Sequence, residues 1–515
     1  MSETEQPENK LGDRQEIKPD LCVIGAGAGG LAAASAAAAF GVNVVLIERG
    51  PMDGPMDGPI DGGIGGHQGA AALAFQAFVA AATRAHLARQ RLLRDGSGSE
   101  GAGCGVDFAA VRAHVRAVVA AAAPEHSRER INGLGVRLVQ GAGRFTDART
   151  VAINGYDVRA RRFVIATGSA PARPDIPGLA DVPYLTTETV FELDACPRHL
   201  IVIGADSIGL ALAQAFRRFG AEVTVLDKAT PLPGADAECA AVVLDALKRE
   251  GVAVRCGIAV KRVRRQQAGI EVDIGGDGGQ GDQGDQGDQG DQGDDETIAG
   301  SHIFLAAGRR PNIEALNLAA AGIRHAASGI AVDRGLRTSN RQVYAIGAVT
   351  GAPMASHLAH HQAGLVIRNA LFRTPVDSDS HAVAFVTSTD PELAQVGLTE
   401  DEARGRAGRI RILRSPYREN DRARATGATA GHVKIVTDRK GTILGAAIAG
   451  AGAAETIAAW TLAINQKLNI EAMAGVIVPY PTYAEVGKRA AMTYFTRGLT
   501  SPLVRRIIVW LRRFG

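Results

Sequence analysis

Residues 20–49, DLCVIGAGAGGLAAASAAAAFGVNVVLIER, limit what this chain can fold into more than any other stretch. An apolar run at 21–24 meets Gly25-x-Gly27-x-x-Gly30, an alanine-rich segment of helical character follows, and a β-type run at 44–47 is closed by Glu48. That order is a βαβ unit. Its glycines have separate jobs: Gly25 makes the tight turn, Gly27 lets backbone approach a pyrophosphate, and Gly30 lets helix pack closely on strand. The helix N-terminus then faces the phosphates. Glu48, at the end of the second strand, is placed to accept from ribose hydroxyls. The spacing predicts a dinucleotide as ligand.

A chain of 515 residues has room for about three domains and can bury its cores without disulfide staples. A net charge of +3, with 22% charged residues, gives no polyanion-binding field, which argues against nucleic acid as a partner. Cys22, Cys104, Cys196, Cys239 and Cys256 are scattered, with no C-x-x-C and no zinc spacing, so neither a disulfide framework nor a metal site is expected. The opening 1–19 is polar and has no apolar h-region. It reads as a disordered tail rather than a signal peptide, and a cytoplasmic location is the default.

After Glu48 a Gly-Pro-Met/Ile-Asp unit recurs three times, punctuation that marks a loop. Helical periodicity then covers 70–93 and 108–123, and 136–145, 151–153 and 162–166 read as strands, the last feeding Ala166-Thr167-Gly168-Ser169. A second βαβ unit begins at His199 and ends in a strand at 223–226 closed by Asp227. Gly204 and Gly209 hold its outer positions, but the central glycine is replaced by Asp206. A side chain and a negative charge then stand where a pyrophosphate would approach. Asp227 favours a free 2′-hydroxyl, so the nicotinamide partner would be NADH. Between strands at 270–274 and 303–306 lies a Gly-Asp-Gln tract over 275–296, read as a flexible acidic loop because it has no apolar residue to order it.

Two such units, together with Ala166-Thr167-Gly168, Ala307-Gly308-Arg309-Arg310-Pro311-Asn312, Tyr344-Ala345-Ile346-Gly347 and the TDPELAQVGLT run at 389–399, resemble the flavin-dependent pyridine nucleotide-disulfide oxidoreductases, in particular mercuric reductase and dihydrolipoyl dehydrogenase. The resemblance implies an α/β fold with two Rossmann-like dinucleotide-binding domains and a C-terminal α+β dimerisation domain. The FAD domain would occupy 20–190 and 312–380, the NAD domain 191–311 and the dimerisation domain 381–496; beyond the part that resembles the family, 497–515 reads as an amphipathic helix. A homodimer is implied, each active site being completed by the other subunit. FAD contacts would fall to Gly25, Gly27, Gly30, Glu48, Thr167, Gly168 and Gly347, with Gly141 and Gly143 bordering the adenine side. NADH would meet Gly204, Gly209, Asp227 and Gly308.

The chain departs from that pattern at its reactive centre. Relatives that reduce thiols or metals carry a Cys-x4-Cys pair just after the first βαβ unit, where this chain has Gly62 and His67. No cysteine lies between Cys22 and Cys104, so thiol–disulfide exchange has no route through the usual pair. The family's lysine maps to Ala71 and its glutamate partner to Ala211. Losing one member of a buried pair costs about 3–5 kcal/mol, whereas losing both can be nearly neutral. The aspartate expected after Gly347 is Ala348, which removes a charged hydrogen bond worth about 1.5–3 kcal/mol. Pro479-Tyr480-Pro481-Thr482-Tyr483-Ala484-Glu485 is similar to the segment that reaches into the partner's site, with tyrosine where mercuric reductases have it and dihydrolipoyl dehydrogenases have histidine. His67, Tyr480 and Glu485 are the candidate catalytic residues. His357, His360 and His361 fall in a segment similar to a flavin-side helix and are not read as a metal site.

Two classes of function remain open. One is an FAD-dependent oxidoreductase passing electrons from NADH to a small non-thiol acceptor such as a quinone. The other is a non-catalytic dimeric scaffold or sensor that keeps the fold. At 501–515, apolar Leu503, Val504, Ile507, Ile508, Leu511 and Phe514 share one helical face flanked by Arg505, Arg506, Arg512 and Arg513. That pattern suits either an interfacial helix, in peripheral contact with the inner face of a membrane, or a helix docked on the dimer. It is too short to span a bilayer.

Overall fold

The computed structural model describes residues 14–50, 68–94, 106–267, 269–276, 296–380, 382–499 and 502–514. The chain forms two compact units, one of Met1–Phe75, His114–Ala172 and Arg309–Asp379, the other of Gln76–Ala113, Arg173–Gly308 and Ser380–Gly515.

In the first unit, Leu21–Ile24 is the middle strand of a five-stranded parallel sheet ordered Val343–Ala345, Arg162–Ile165, Leu21–Ile24, Val44–Glu48, Val136–Gln140. Its strands are continuous apolar runs because both faces are covered. Leu21, Val23, Val44 and Leu46 join one core with helices Ala28–Ala39 and Ser356–Phe372. Cys22, Ile24, Val45 and Ile47 join another, with Ile17, Phe145, Val151 and Val158. The alanine content of the first helix now has a cause: Ala33, Ala34 and Ala37 are fully buried, and larger side chains would hold the helix off the sheet.

Two expectations need correction here. The strand read over 136–145 is two strands, Val136–Gln140 and Arg144–Phe145, in different sheets. Gly141 parts them at φ +141°, and a Cβ there would stand 2.5 Å from Asn154 Nδ2. The tail read as disordered through residue 19 contains a strand, Gln15–Ile17, paired in parallel with Tyr156–Val158. Ile17 is buried there, an anchor that the polar composition around it conceals. Residues 1–13, the Gly-Pro repeat with Gly62 and His67, and 277–295 of the acidic tract lie outside the described residues.

The second unit contains a parallel sheet ordered Ala253–Cys256, Glu222–Asp227, His199–Ile203, His302–Leu305. A three-stranded antiparallel sheet runs through Ile258–Gln266, Gly269–Gly276 and Glu296–Gly300. A five-stranded antiparallel sheet, ordered Phe385–Thr387, Glu392–Gly397, Ile443–Gly450, His432–Asp438, Ile410–Pro416, forms the α+β part. Residues 173–190 pack with this unit, since Leu179 and Val182 enter the core of Ile201, Leu226, Val263 and Ile303.

Helix Gln68–Arg94 contains a stretch, Ala71–Gln90, long and apolar enough to cross a bilayer by composition. Phe78 is instead buried in an aromatic cluster, 5.0 Å from the rings of both Phe216 and Phe219. Lys434, buried in strand His432–Asp438, ties helix Ala237–Arg249 to that sheet through Asp236 and Glu238, both at 2.8 Å, and also holds Glu400 at 2.9 Å. The last helix is Pro502–Leu511, after Ala484–Leu499. Pro502 has no N–H with which to continue the earlier one.

Candidate functional site

Strand Leu21–Ile24 has a parallel neighbour on each side, so its C-terminal end is a topological switch point, where open α/β sheets bind ligands. The turn there is closely built. Gly25 sits at φ +103°, where a Cβ would fall 2.5 Å from Ala166 O, and a Cβ on Gly30 would fall 1.8 Å from Gly25 O. Gly27 is different: among the described residues nothing lies within 4 Å of where its Cβ would be, and no side chain caps helix Ala28–Ala39. An open cradle at a helix start with unspent N–H groups suits a pyrophosphate.

The remaining candidates for this ligand belong to the same unit. Glu48 is buried, its Oε2 accepting from Ala26 N at 2.6 Å and its Oε1 from Gly50 N at 2.9 Å. The carboxylate thus stitches the strand end to the glycine turn and keeps lone pairs for a ribose. Gly141 N–H donates to Glu48 O at 2.7 Å, and a Cβ on Gly143 would lie 3.2 Å from Ile47 Cγ2, which sets both glycines beside that strand end. Thr167 Oγ1 donates to Asn312 O at 2.8 Å, Asn312 Nδ2 donates to Thr167 O at 2.9 Å, and Asn312 N donates to Gly168 O at 3.0 Å. Gly347 N–H donates to Gln362 Oε1 at 2.7 Å. Ala348, next along, is half-buried. These residues fit FAD at its pyrophosphate and ribose.

The second fingerprint repeats this construction with one change. A Cβ on Gly204 would fall 2.2 Å from Ala306 O, and one on Gly209 2.4 Å from Gly204 O. Asp227 copies Glu48, accepting from Ala205 N at 2.7 Å and Ala229 N at 2.8 Å. Asp206, however, caps helix Ser207–Phe219, its Oδ1 accepting from Ile208 N at 3.0 Å and Gly209 N at 2.7 Å. The amides a phosphate would need are taken, and the charge there is already negative. Asp227 suits a ribose, whereas a pyrophosphate at this helix start would have to displace the Asp206 carboxylate from its amides. Gly308 follows strand His302–Leu305, and no described residue stands within 4 Å of where its Cβ would be.

Of the catalytic candidates, Tyr480 and Glu485 lie on one segment, and His67 is outside the described residues. Tyr480 is exposed, and its hydroxyl donates to Asp421 Oδ2 at 2.9 Å. That bond, and the charge on Asp421, raise the phenol above its ordinary pKa. Glu485 Oε2 is buried with no hydrogen-bond partner among the described residues. Asp421, Asn312 and Gln362 were not singled out from sequence. Asn312 stood inside a recognised motif, but the Asp421–Tyr480 bond spans 59 positions and leaves no spacing signal.

The described cysteines offer no ready thiolate. Burial pushes the thiols of Cys22 and Cys239 far up, Cys196 to about 11, and Cys256 upward as well. Among the described residues no three His, Cys, Asp or Glu side chains gather as a metal site would require.

Comparison with known proteins agrees with this architecture. Residues 19–363 match the pyridine nucleotide-disulphide oxidoreductase family and 383–491 its dimerisation domain. The mercuric reductase of Streptomyces lividans is 32% identical over 485 residues, covering 92% of this chain and 96% of that protein. A dihydrolipoyl dehydrogenase of Geobacillus stearothermophilus is 30% identical over 483 residues, with the same two coverages. The HOCl-induced flavoprotein disulfide reductase RclA from Escherichia coli superposes with a TM-score of 0.77 at 21% identity, over 92% of this chain and 99% of that one. The dimerisation-domain match supports a homodimer, and members of the family use FAD and NAD(P)H. The match over residues 19–363, the dimerisation-domain match over 383–491 and the extent of these similarities establish that the chain belongs to the pyridine nucleotide-disulphide oxidoreductase family.

Proposed function

We propose that the protein is an FAD-dependent oxidoreductase passing electrons from NADH to a small non-thiol acceptor, a quinone by class, without a redox disulfide. One observation carries this reading: the first cradle is complete, while no cysteine stands between Cys22 and Cys104. FAD, when bound, supplies a reversible two-electron acceptor. The open helix start at Gly27 would hold its pyrophosphate, Glu48 its ribose, and Gly141 and Gly143 would border its adenine. Thr167, Gly168 and Gly347 would flank the rest. Quinone reduction takes up two protons with two electrons. Tyr480, its hydroxyl held by Asp421, would supply a proton to the acceptor, with Glu485 on the same segment.

The capped helix start at Asp206 favours a second reading, a dimeric scaffold or sensor that binds FAD but does not turn over. An anaerobic absorption spectrum of the purified protein separates the two. A flavin band that NADH bleaches and a quinone restores supports the oxidoreductase. A flavin band untouched by NADH supports the sensor, and failure to take up FAD on reconstitution overturns both.

A further inference from the structure

Helix Pro502–Leu511 lies beyond the residues matched to the dimerisation domain, and nothing in the flavin chemistry uses it. Its apolar side chains face outward: Ile507 is 46% exposed, Ile508 49%, Leu511 52% and Phe514 73%. At about 100° per residue these four share one face. Arg505 and Arg512 border that face on one side and Arg506 and Arg513 on the other. No acidic residue occurs in 502–514, and none of the four arginines is ion-paired among the described residues. Trp510, 55% exposed, stands at the boundary between apolar face and arginines, its ring edge-on to Phe514 at 4.9 Å.

We propose that this helix docks the protein on an anionic lipid surface. Lying in the plane of the bilayer, it sets Ile507, Ile508, Leu511 and Phe514 into the acyl boundary, the four arginines among lipid phosphates, and Trp510 at headgroup level. Charge selects this occupant: an apolar face bounded on both sides by cations, with no anion, complements a sheet of phosphates. A protein groove would have to supply carboxylates along both edges. Spanning is excluded, because the ten residues of the helix reach about 15 Å against a hydrocarbon core of about 30 Å.

The test uses the full-length protein and vesicles of phosphatidylcholine with and without phosphatidylglycerol. The protein should sediment with the anionic vesicles only, and less as salt is raised. Tryptophan emission should shift to the blue on binding, a change that reports Trp510 because the other tryptophan, Trp460, is buried. Replacing Arg505, Arg506, Arg512 and Arg513 by Gln should weaken partitioning about fivefold per arginine, on the order of a hundredfold or more together. I507S/L511S/F514S should abolish the blue shift with the charge intact. Equal binding to neutral vesicles, no binding to either, or unchanged binding by both variants overturns the proposal. So does deletion of 501–515 that turns a dimer into monomers or precipitates it, since the face would then belong to the protein's own assembly.

Discussion

The carboxylate of Asp206 accepts a 2.7 Å hydrogen bond from the backbone N–H of Gly209, inside the first turn of the helix that Asp206 caps. At the matching place in the first fingerprint, Gly27 has no side chain and its helix has no side-chain cap among the described residues. The two motifs are otherwise built alike, Gly25 with Gly204, Gly30 with Gly209, and Glu48 with Asp227. One side chain therefore decides whether a helix start is open to phosphate or closed on itself.

Replacing Asp206 by Gly should tighten NADH binding at least tenfold, about 1.4 kcal/mol. Stability should fall by only a few tenths of a kcal/mol, because glycine is a tolerable N-cap. Asp206→Asn, which removes the charge but keeps a capping side chain, should gain less. Calorimetric titration of the three proteins with NADH checks the order; equal affinities would show that the carboxylate is not the obstruction.

Gly27 and Gly30 should separate ligand binding from folding. Gly27→Val adds a side chain where no described residue stands, at φ −68°, so the variant should melt near the wild-type apoprotein while losing FAD. Gly30→Ala drives a methyl into Gly25 O and should cost about 1–3 kcal/mol or more in stability. Flavin absorbance per protein and melting temperature report the two effects. A Gly27→Val protein with full FAD content would refute the placement of the pyrophosphate.

Much of this was legible in the sequence because each fingerprint couples glycine spacing to a switch from β to helical periodicity, and the acid closing each unit marks a strand end. The Asp206 charge was visible as an obstacle. Its hydrogen bonds to Ile208 and Gly209 were not, since an aspartate reads as a cap only once the helix start is fixed. Gly141 ended a strand that its neighbours' side chains would have continued. Ile17, one apolar residue in a polar tail, found an edge strand at Tyr156–Val158 far along the chain. Tyr480 met Asp421 across two elements, a pairing that no local pattern encodes.

Lys434→Met should leave Asp236 and its neighbours without their buried cation, at a cost of about 3–5 kcal/mol. The same cluster sets an acid limb. Arg414 foremost, with Lys434, holds the Glu238 carboxyl down to about 2 against the effect of burial. A depressed carboxyl stabilises the fold fully above its unfolded value, about 4.5, and loses that contribution as pH falls from there toward about 2. Urea midpoints measured from neutral pH downward should show this loss in the wild type and a shallower one in Lys434→Met.

Ala348→Asp, beside the anchored amide of Gly347, should restore a carboxylate acceptor for FAD and tighten its binding about ten- to a hundredfold. Reconstitution of apoprotein with FAD, followed by fluorescence quenching, gives the two dissociation constants. Equal constants would mean that the flavin chain does not pass Ala348.

Anaerobic titration of the FAD-loaded protein with dithionite tests the absence of a dithiol relay most directly, because it counts the electron-accepting centres. One two-electron equivalent per FAD, with no long-wavelength thiolate–flavin band, is the predicted result. A reproducible second equivalent, or such a band, would contradict it.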